Sequence, residues 1–187
     1  GGNGTVSRLL RISGIGESAV DEAIAPIYRT YKDVQTSILF TRAEIELHLS
    51  ARANNAAAAE EMLAELSEKI VEKLGMAVIS TNGEMLEEIV GRMLADTGHT
   101  LGVAESCTGG LIGMRLTEVP GASQYFLEGA ITYSNEAKIR TLGVPESLLA
   151  EHGAVSAETA EAMARGMSER AQADYGISVT GIAGPDG

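Results

Sequence analysis

The chain has 187 residues, 44% hydrophobic but only 4% aromatic and without Trp, so its cores must be built from Leu, Ile, Val, Met and Ala. Its 14 basic and 26 acidic residues give a net charge of −12, divided as 8 − 11 = −3 up to Gly83 and 6 − 15 = −9 after it. Neither half shows the basic face with which a phosphate-backbone binder displaces counterions, and no apolar run reaches the roughly 18–20 residues of a membrane span. No signal peptide is expected at the start, and the single Cys107 rules out an internal disulfide, so a cytoplasmic location is expected.

The opening Gly1-Gly2-Asn3-Gly4 reads as a linker, and the glycosylation match Asn3-Gly4-Thr5 carries no weight in a cytoplasmic protein. Val6 to Ile12 reads as a strand ended by Ser13-Gly14-Ile15-Gly16. A short helix follows, with Ala19, Val20, Ala23 and Ile24 on one face and Pro26 near its end. Thr36 to Phe40 is a second strand. From Glu44 to Arg52 the residues alternate: Ile45, Leu47, Leu49 and Ala51 point one way, Glu44, Glu46, His48, Ser50 and Arg52 the other. That pattern predicts an antiparallel strand with one wet face. Asn54 and Asn55 precede a helix whose Met62, Leu63, Leu66, Ile70 and Leu74 keep helical spacing, and Gly75 stops it. Ala77 to Ser80 completes a small α+β layer.

Thr81-Asn82-Gly83-Glu84 is the junction, and Thr81 and Glu84 have capping-box spacing. The next helix carries Leu86, Ile89, Val90, Met93 and Leu94 on one stripe and ends at Thr97-Gly98. The rhythm then becomes strand, helix, strand, helix. Thr100 to Ala104 is a strand, Thr108 to Glu118 a helix, Gly129 to Tyr133 a strand, and Asn135 to Leu142 a helix closed by Gly143. Ser156 caps a helix running to about Ala173. Ile177 to Thr180 is a strand that breaks into a loop from Gly181 to Gly187. Such alternation predicts an α/β domain with helices packed on a central sheet. The expected division is a small α+β domain over 1–83 and an α/β domain over 84–187, the second apparently incomplete at its C-terminus.

Three segments could carry chemistry. In Glu105-Ser106-Cys107-Thr108-Gly109-Gly110, Ser106 falls between a strand's C-terminal end and a helix N-terminus, where unpaired N–H groups and the positive dipole end suit an anion. Gly109 and Gly110 allow a ligand close to the backbone. The competing reading makes Ser106 or Thr108 a simple N-cap. Cys107 is a rival nucleophile, although a lone Cys in an apolar stretch more often packs. In the second segment Tyr133 ends a strand and Lys138 lies in the first turns of the next helix; the plain alternative is a half-buried Tyr and an exposed Lys. The third, Thr180 to Gly187, could form a backbone nest for phosphate. All three lie at strand C-termini, where open α/β sheets bind ligands. A desolvated lysine can serve a serine as base. His48, His99 and His152 make no metal-ligand pair and read as exposed structural residues.

Ala104-Glu105-Ser106-Cys107-Thr108-Gly109-Gly110, Gly129-Ala130-Ile131-Thr132-Tyr133-Ser134-Asn135-Glu136-Ala137-Lys138 and Val179-Thr180-Gly181-Ile182-Ala183-Gly184-Pro185-Asp186-Gly187 together resemble the CinA C-terminal domain in order and spacing. The resemblance implies an amidohydrolase that converts nicotinamide mononucleotide (NMN) to nicotinic acid mononucleotide and ammonia. It places the catalytic serine, tyrosine and lysine on Ser106, Tyr133 and Lys138. Substrate contacts are expected at Thr108, Gly109, Gly110, Thr180, Gly181 and Gly184. No metal and no cofactor is expected, and a homodimer is. Residues 1–83 resemble the middle, KH-like domain of multidomain CinA proteins, but Gly14-Ile15-Gly16-Glu17 lacks the GXXG clamp and adds acid, so no nucleic-acid partner and no membrane partner is expected. The family's N-terminal nucleotide-pyrophosphatase-like domain is not expected in this chain. The alternatives are a nucleotide-binding or assembly module without turnover, and a KH-like nucleic-acid adaptor.

Overall fold

A computed structural model describes residues 4–41 and 44–184. Asn3 of the glycosylation match, the rest of the opening linker before Gly4, and Pro185, Asp186 and Gly187 of the expected nest lie outside the described residues. The chain forms two compact units, residues 1–86 and 87–187. The expected break after Gly83 falls three residues before the boundary between them.

In the first unit, β1 (Gly4–Ile12), α1 (Glu17–Tyr28), β2 (Val34–Thr41), β3 (Glu44–Ala53), α2 (Ala56–Leu74) and β4 (Val78–Ser80) follow in order. The strands make an antiparallel sheet in the order β2-β3-β1-β4. The alternation of β3 sends Ile45, Leu47, Leu49 and Ala51 into a core shared with Leu10 and Ile12 of β1, Val20 and Ile24 of α1, and Ala59, Leu63, Leu66 and Ile70 of α2. Asn55 caps α2 by accepting the Ala58 N–H at 2.9 Å. On the other face Arg11 lies opposite Glu46, with Nη1 2.9 Å from Oε1. Glu44 departs from the expected wet face: it is buried, and its carboxylate lies 3.7 Å from Arg11. The expected capping box does not form either. Asn82, not Thr81, accepts the Glu84 N–H, and the next helix starts two residues beyond Glu84.

After α3 (Leu86–Thr97), which starts at the last residue of the first unit, the second unit contains β5 (Leu101–Glu105), α4 (Leu111–Glu118), β6 (Phe126–Ile131), α5 (Asn135–Leu142), α6 (Glu146–His152), α7 (Ala157–Ala171) and β7 (Tyr175–Val179). Its three parallel strands run in the order β6-β5-β7, so β5 is central and all five of its residues are buried. Period two sends Leu101 and Val103 toward α3 and α4, where they meet Val90, Leu94, Ile112, Leu116 and Tyr125. Ala104 goes the other way, to Leu142, Leu149, Met163 and Met167 of α5, α6 and α7. The result is three layers with one sheet between two helical layers. Gly166 brings α7 directly onto the end of α5, since a Cβ there would land on the Leu142 carbonyl. Among the described residues no helix is long and apolar enough to cross a membrane.

Candidate active site

Parallel pairing sets where each strand stops. Glu105 pairs with Ile131 and with Val179, so the three strands end level. The segments that follow, Ser106 onward, Thr132 onward and Thr180 onward, leave the sheet at one edge. The Ser106 N–H donates to the Val179 carbonyl at 3.0 Å and the Thr132 N–H to the Glu105 carbonyl at 2.7 Å. These bonds hold the three exits together. β6 ends two residues before the expected Tyr133, because β5 offers no partner beyond Glu105. Thr132 and Tyr133 therefore form a connection into α5, whose N-cap Ser134 accepts the Ala137 N–H at 3.1 Å.

That connection places Lys138 in the first turn of α5 with its side chain turned inward. Lys138 is 1% exposed, against the alternative of a surface lysine. Its Nζ lies 3.1 Å from Ser106 Oγ, 2.9 Å from the Thr132 carbonyl and 3.3 Å from the Tyr133 carbonyl. Burial pushes its pKa below the ordinary 10.5, with nearby Cys107 acting in the opposite sense. Nζ donates to Ser106 Oγ and to the two carbonyls, three acceptors that bear no charge; when neutral, the amine can instead accept the Ser106 hydroxyl proton.

Ser106 is 5% exposed and lines a cavity of about 340 Å³, together with Lys138, Tyr133, Ala154, Val155 and the loop Thr180 to Gly184. Ser106, Tyr133, Lys138, Thr180, Gly181 and Gly184 are thus brought together. The Tyr133 side chain is 66% exposed, so its main-chain carbonyl rather than its phenol touches Lys138. The Thr180 hydroxyl is spent on the Ala154 carbonyl at 2.7 Å.

Thr108, Gly109 and Gly110 do not line this cavity. The Thr108 hydroxyl and the Gly110 N–H both donate to Glu105, and the Gly109 N–H donates to the Ser106 carbonyl. The helix begins at Leu111 instead of Thr108, and neither Ser106 nor Thr108 caps it. Gly110 has φ 103°, a left-handed conformation that lets the chain turn from the serine into α4. Among the described residues the N–H groups of Cys107 and Thr108 have no acceptor. They follow the serine directly. The Cys107 side chain is half-buried and packs toward Gly181.

Sequence reasoning missed Glu105, Ala154 and Val155. Glu105 had a legible signal, a carboxylate inside an apolar strand just before a glycine-rich turn. Ala154 and Val155 had none. His48 bonds to Glu46, His99 packs on the Tyr175 ring, and His152 lies near Glu151 and Glu158. No cluster of His, Cys, Asp and Glu among the described residues could hold a metal ion.

The second unit is a three-layer α/β domain with a buried serine–lysine pair at its strand ends, and the first is a small α+β domain. Residues 83–187 match the CinA C-terminal domain, and residues 7–80 match the KH domain of damage-inducible protein CinA. The chain belongs to the CinA family. It is 48% identical over 95% of its length to a CinA-like protein of Solibacter usitatus, and 47% identical over 97% to one of Koribacter versatilis. It spans 42% and 44% of the length of these two curated relatives. Among solved structures, a CinA superfamily protein of Escherichia coli superposes with a TM-score of 0.54 at 35% identity, covering 55% of this chain and 59% of that one. A competence/damage inducible protein of Agrobacterium tumefaciens gives a TM-score of 0.51 at 41% identity, covering 58% and 68%.

Proposed function

We propose that the second domain carries a serine amidohydrolase site that converts NMN to nicotinic acid mononucleotide and ammonia. The observation that carries this reading is the buried Lys138, its Nζ 3.1 Å from Ser106 Oγ and its other two contacts both carbonyls. Burial lowers the pKa of this lysine and no carboxylate among its contacts holds the proton on, which supports reading it as the base.

The neutral Lys138 amine takes the Ser106 hydroxyl proton directly. Oγ bonds to the carboxamide carbon, and the carbonyl oxygen becomes an oxyanion, for which the unengaged Cys107 and Thr108 N–H groups are the backbone donors left next to the serine. Collapse of this intermediate breaks the C–N bond. The Lys138 ammonium returns its proton to the departing nitrogen, which leaves as ammonia. Water, deprotonated by the same amine, then attacks the ester and restores Ser106 with release of the carboxylate. Tyr133 stands at the rim of the cavity, where its phenol can orient the substrate, while its carbonyl orients Lys138. The resemblance to the CinA C-terminal domain supports the choice of substrate, and the Lys138–Ser106 geometry supports the choice of nucleophile and base. Incubating the full-length protein with NMN is expected to yield ammonia and nicotinic acid mononucleotide in equal amounts. Saturable NMN binding without either product would instead indicate a nucleotide-binding module.

A further inference from the structure

Glu105 ends β5 immediately before Ser106, and it is 3% exposed. A buried carboxylate without partners is costly, but this one has four donors. Its Oε2 accepts the Thr108 hydroxyl at 2.6 Å and the Gly110 and Ile112 N–H groups at 3.1 Å each; its Oε1 accepts the Gly113 N–H at 2.8 Å. Burial alone would push its pKa up, yet these bonds outweigh burial and hold it below the ordinary range. The backbone donors belong to the first turn of α4, where N–H groups have no intrahelical acceptor and the helix dipole favours an anion. Glu105 therefore fastens the turn after Ser106 from both sides, to β5 behind it and to α4 ahead.

This arrangement also sorts the donors around the serine. The N–H groups of Gly110, Ile112 and Gly113 are engaged by Glu105, that of Gly109 by the Ser106 carbonyl, and that of Leu111 by the Thr108 carbonyl. Only those of Cys107 and Thr108 remain in this stretch to meet a developing oxyanion. Resting on the reading of Ser106 as nucleophile, we infer that Glu105 is a positioning residue, whose carboxylate fixes the Ser106–Gly110 turn and with it the nucleophile and the two unengaged N–H groups beside it. It does not line the cavity.

The test compares wild type, Glu105→Gln and Thr108→Val in the full-length protein. Gln keeps the size but presents an NH₂ group to donors that need an acceptor, and Val removes one of the four contacts. Three quantities are read: kcat and KM for NMN with their pH profile, the rate at which a fluorophosphonate probe labels Ser106, and amide hydrogen exchange. With Glu105→Gln, kcat and labelling are expected to fall about tenfold or more. KM and the pH midpoint set by Lys138 should hold, and Gly110, Ile112 and Gly113 should exchange faster while Val103 does not. Thr108→Val should show the same pattern more weakly, and it decides by the same criteria if the Gln variant does not fold. Wild-type kcat and labelling despite faster exchange would overturn the inference. So would a joint shift of kcat, KM, pH midpoint and Val103 exchange, which a merely structural residue would give. If the wild type labels at Ser106 but leaves NMN intact, only the substrate assignment falls, and labelling decides the role of Glu105. A wild type that neither labels nor turns over removes both readings.

Discussion

Lys138 combines a buried amine with acceptors that bear no charge, and this has consequences for both rate and stability. Its folded pKa lies below 10.5 because burial disfavours the ammonium. The base must be neutral to act, so kcat/KM is expected to rise with pH through the depressed value and then level off. For stability, the unfolded chain binds a proton more than the folded chain between that value and 10.5. Stability therefore rises with pH across this window, at most by about 1.4 kcal/mol per pH unit. Lys138→Met lacks this contribution. In urea unfolding between neutral pH and pH 10, wild type is expected to gain stability relative to the variant, and a constant difference would show that Lys138 stays protonated when folded. Tyr133→Phe separates the two parts of that residue, because it deletes the phenol and leaves the carbonyl that holds Lys138. A modest loss in kcat or KM fits a rim position, whereas a fall as deep as that of Lys138→Ala, about 10²–10⁴-fold for a lost general base, would put the phenol in the proton path. Only the resemblance, which puts the catalytic lysine at Lys138, pointed to this burial. In α5 alone, Lys138 has the sequence context of a solvated helix lysine, and only the non-local approach of the β5 exit turns it inward.

At the scale of elements, α7 decides where α5 sits. Gly166→Ala would drive a methyl group into the Leu142 carbonyl, with main chain on both sides and no flexible side chain to yield. A loss of about 1–3 kcal/mol is expected, the cost of overpacking, accompanied by lower activity because α5 carries Lys138. Unchanged unfolding would mean that the two helices pack less closely. In the first unit Asn55→Ala should cost about 1 kcal/mol by removing the cap of α2. Elements with strong periodicity, β3 and α2 above all, were legible to within a residue or two. Two others were not. The seven-residue α6, between Pro145 and Gly153, is too short to show a helical period. The start of α4 was misplaced because its cap is a strand carboxylate from Glu105, not the Ser or Thr that local rules seek.

For the whole molecule, the core of the first unit closes on itself: Leu10, Ile12, Ile45, Leu47, Leu49, Leu63, Leu66 and Ile70 are all fully or almost fully buried by residues of that unit. Residues 1–86 expressed alone are expected to unfold in one cooperative transition, and a chain without such a transition would show that this core needs the second domain. Acidic Glu17, Asp21 and Glu22 line the open groove beside α1 with Tyr28 and Thr36, an unfavourable surface for a phosphate backbone. Filter binding of the same fragment to single-stranded RNA is expected to show no salt-sensitive, micromolar affinity; finding it would reveal a basic groove elsewhere. The fold class followed from the change of rhythm after Gly83, since period-two strands with hairpin connections and strand–helix alternation demand different sheets. The level ends of β5, β6 and β7 did not follow, because strand register in a parallel sheet is a property of pairing.

The proposed chemistry concentrates on one oxygen atom, Ser106 Oγ, with a thiol at the next position as its rival. The most direct measurement is ammonia release from NMN by the full-length wild type, Ser106→Ala and Cys107→Ala, each checked for a native circular-dichroism spectrum. Turnover is expected to vanish with Ser106→Ala and to survive for the most part with Cys107→Ala. Turnover that survives the loss of Ser106 and disappears with Cys107 would contradict the serine–lysine mechanism outright.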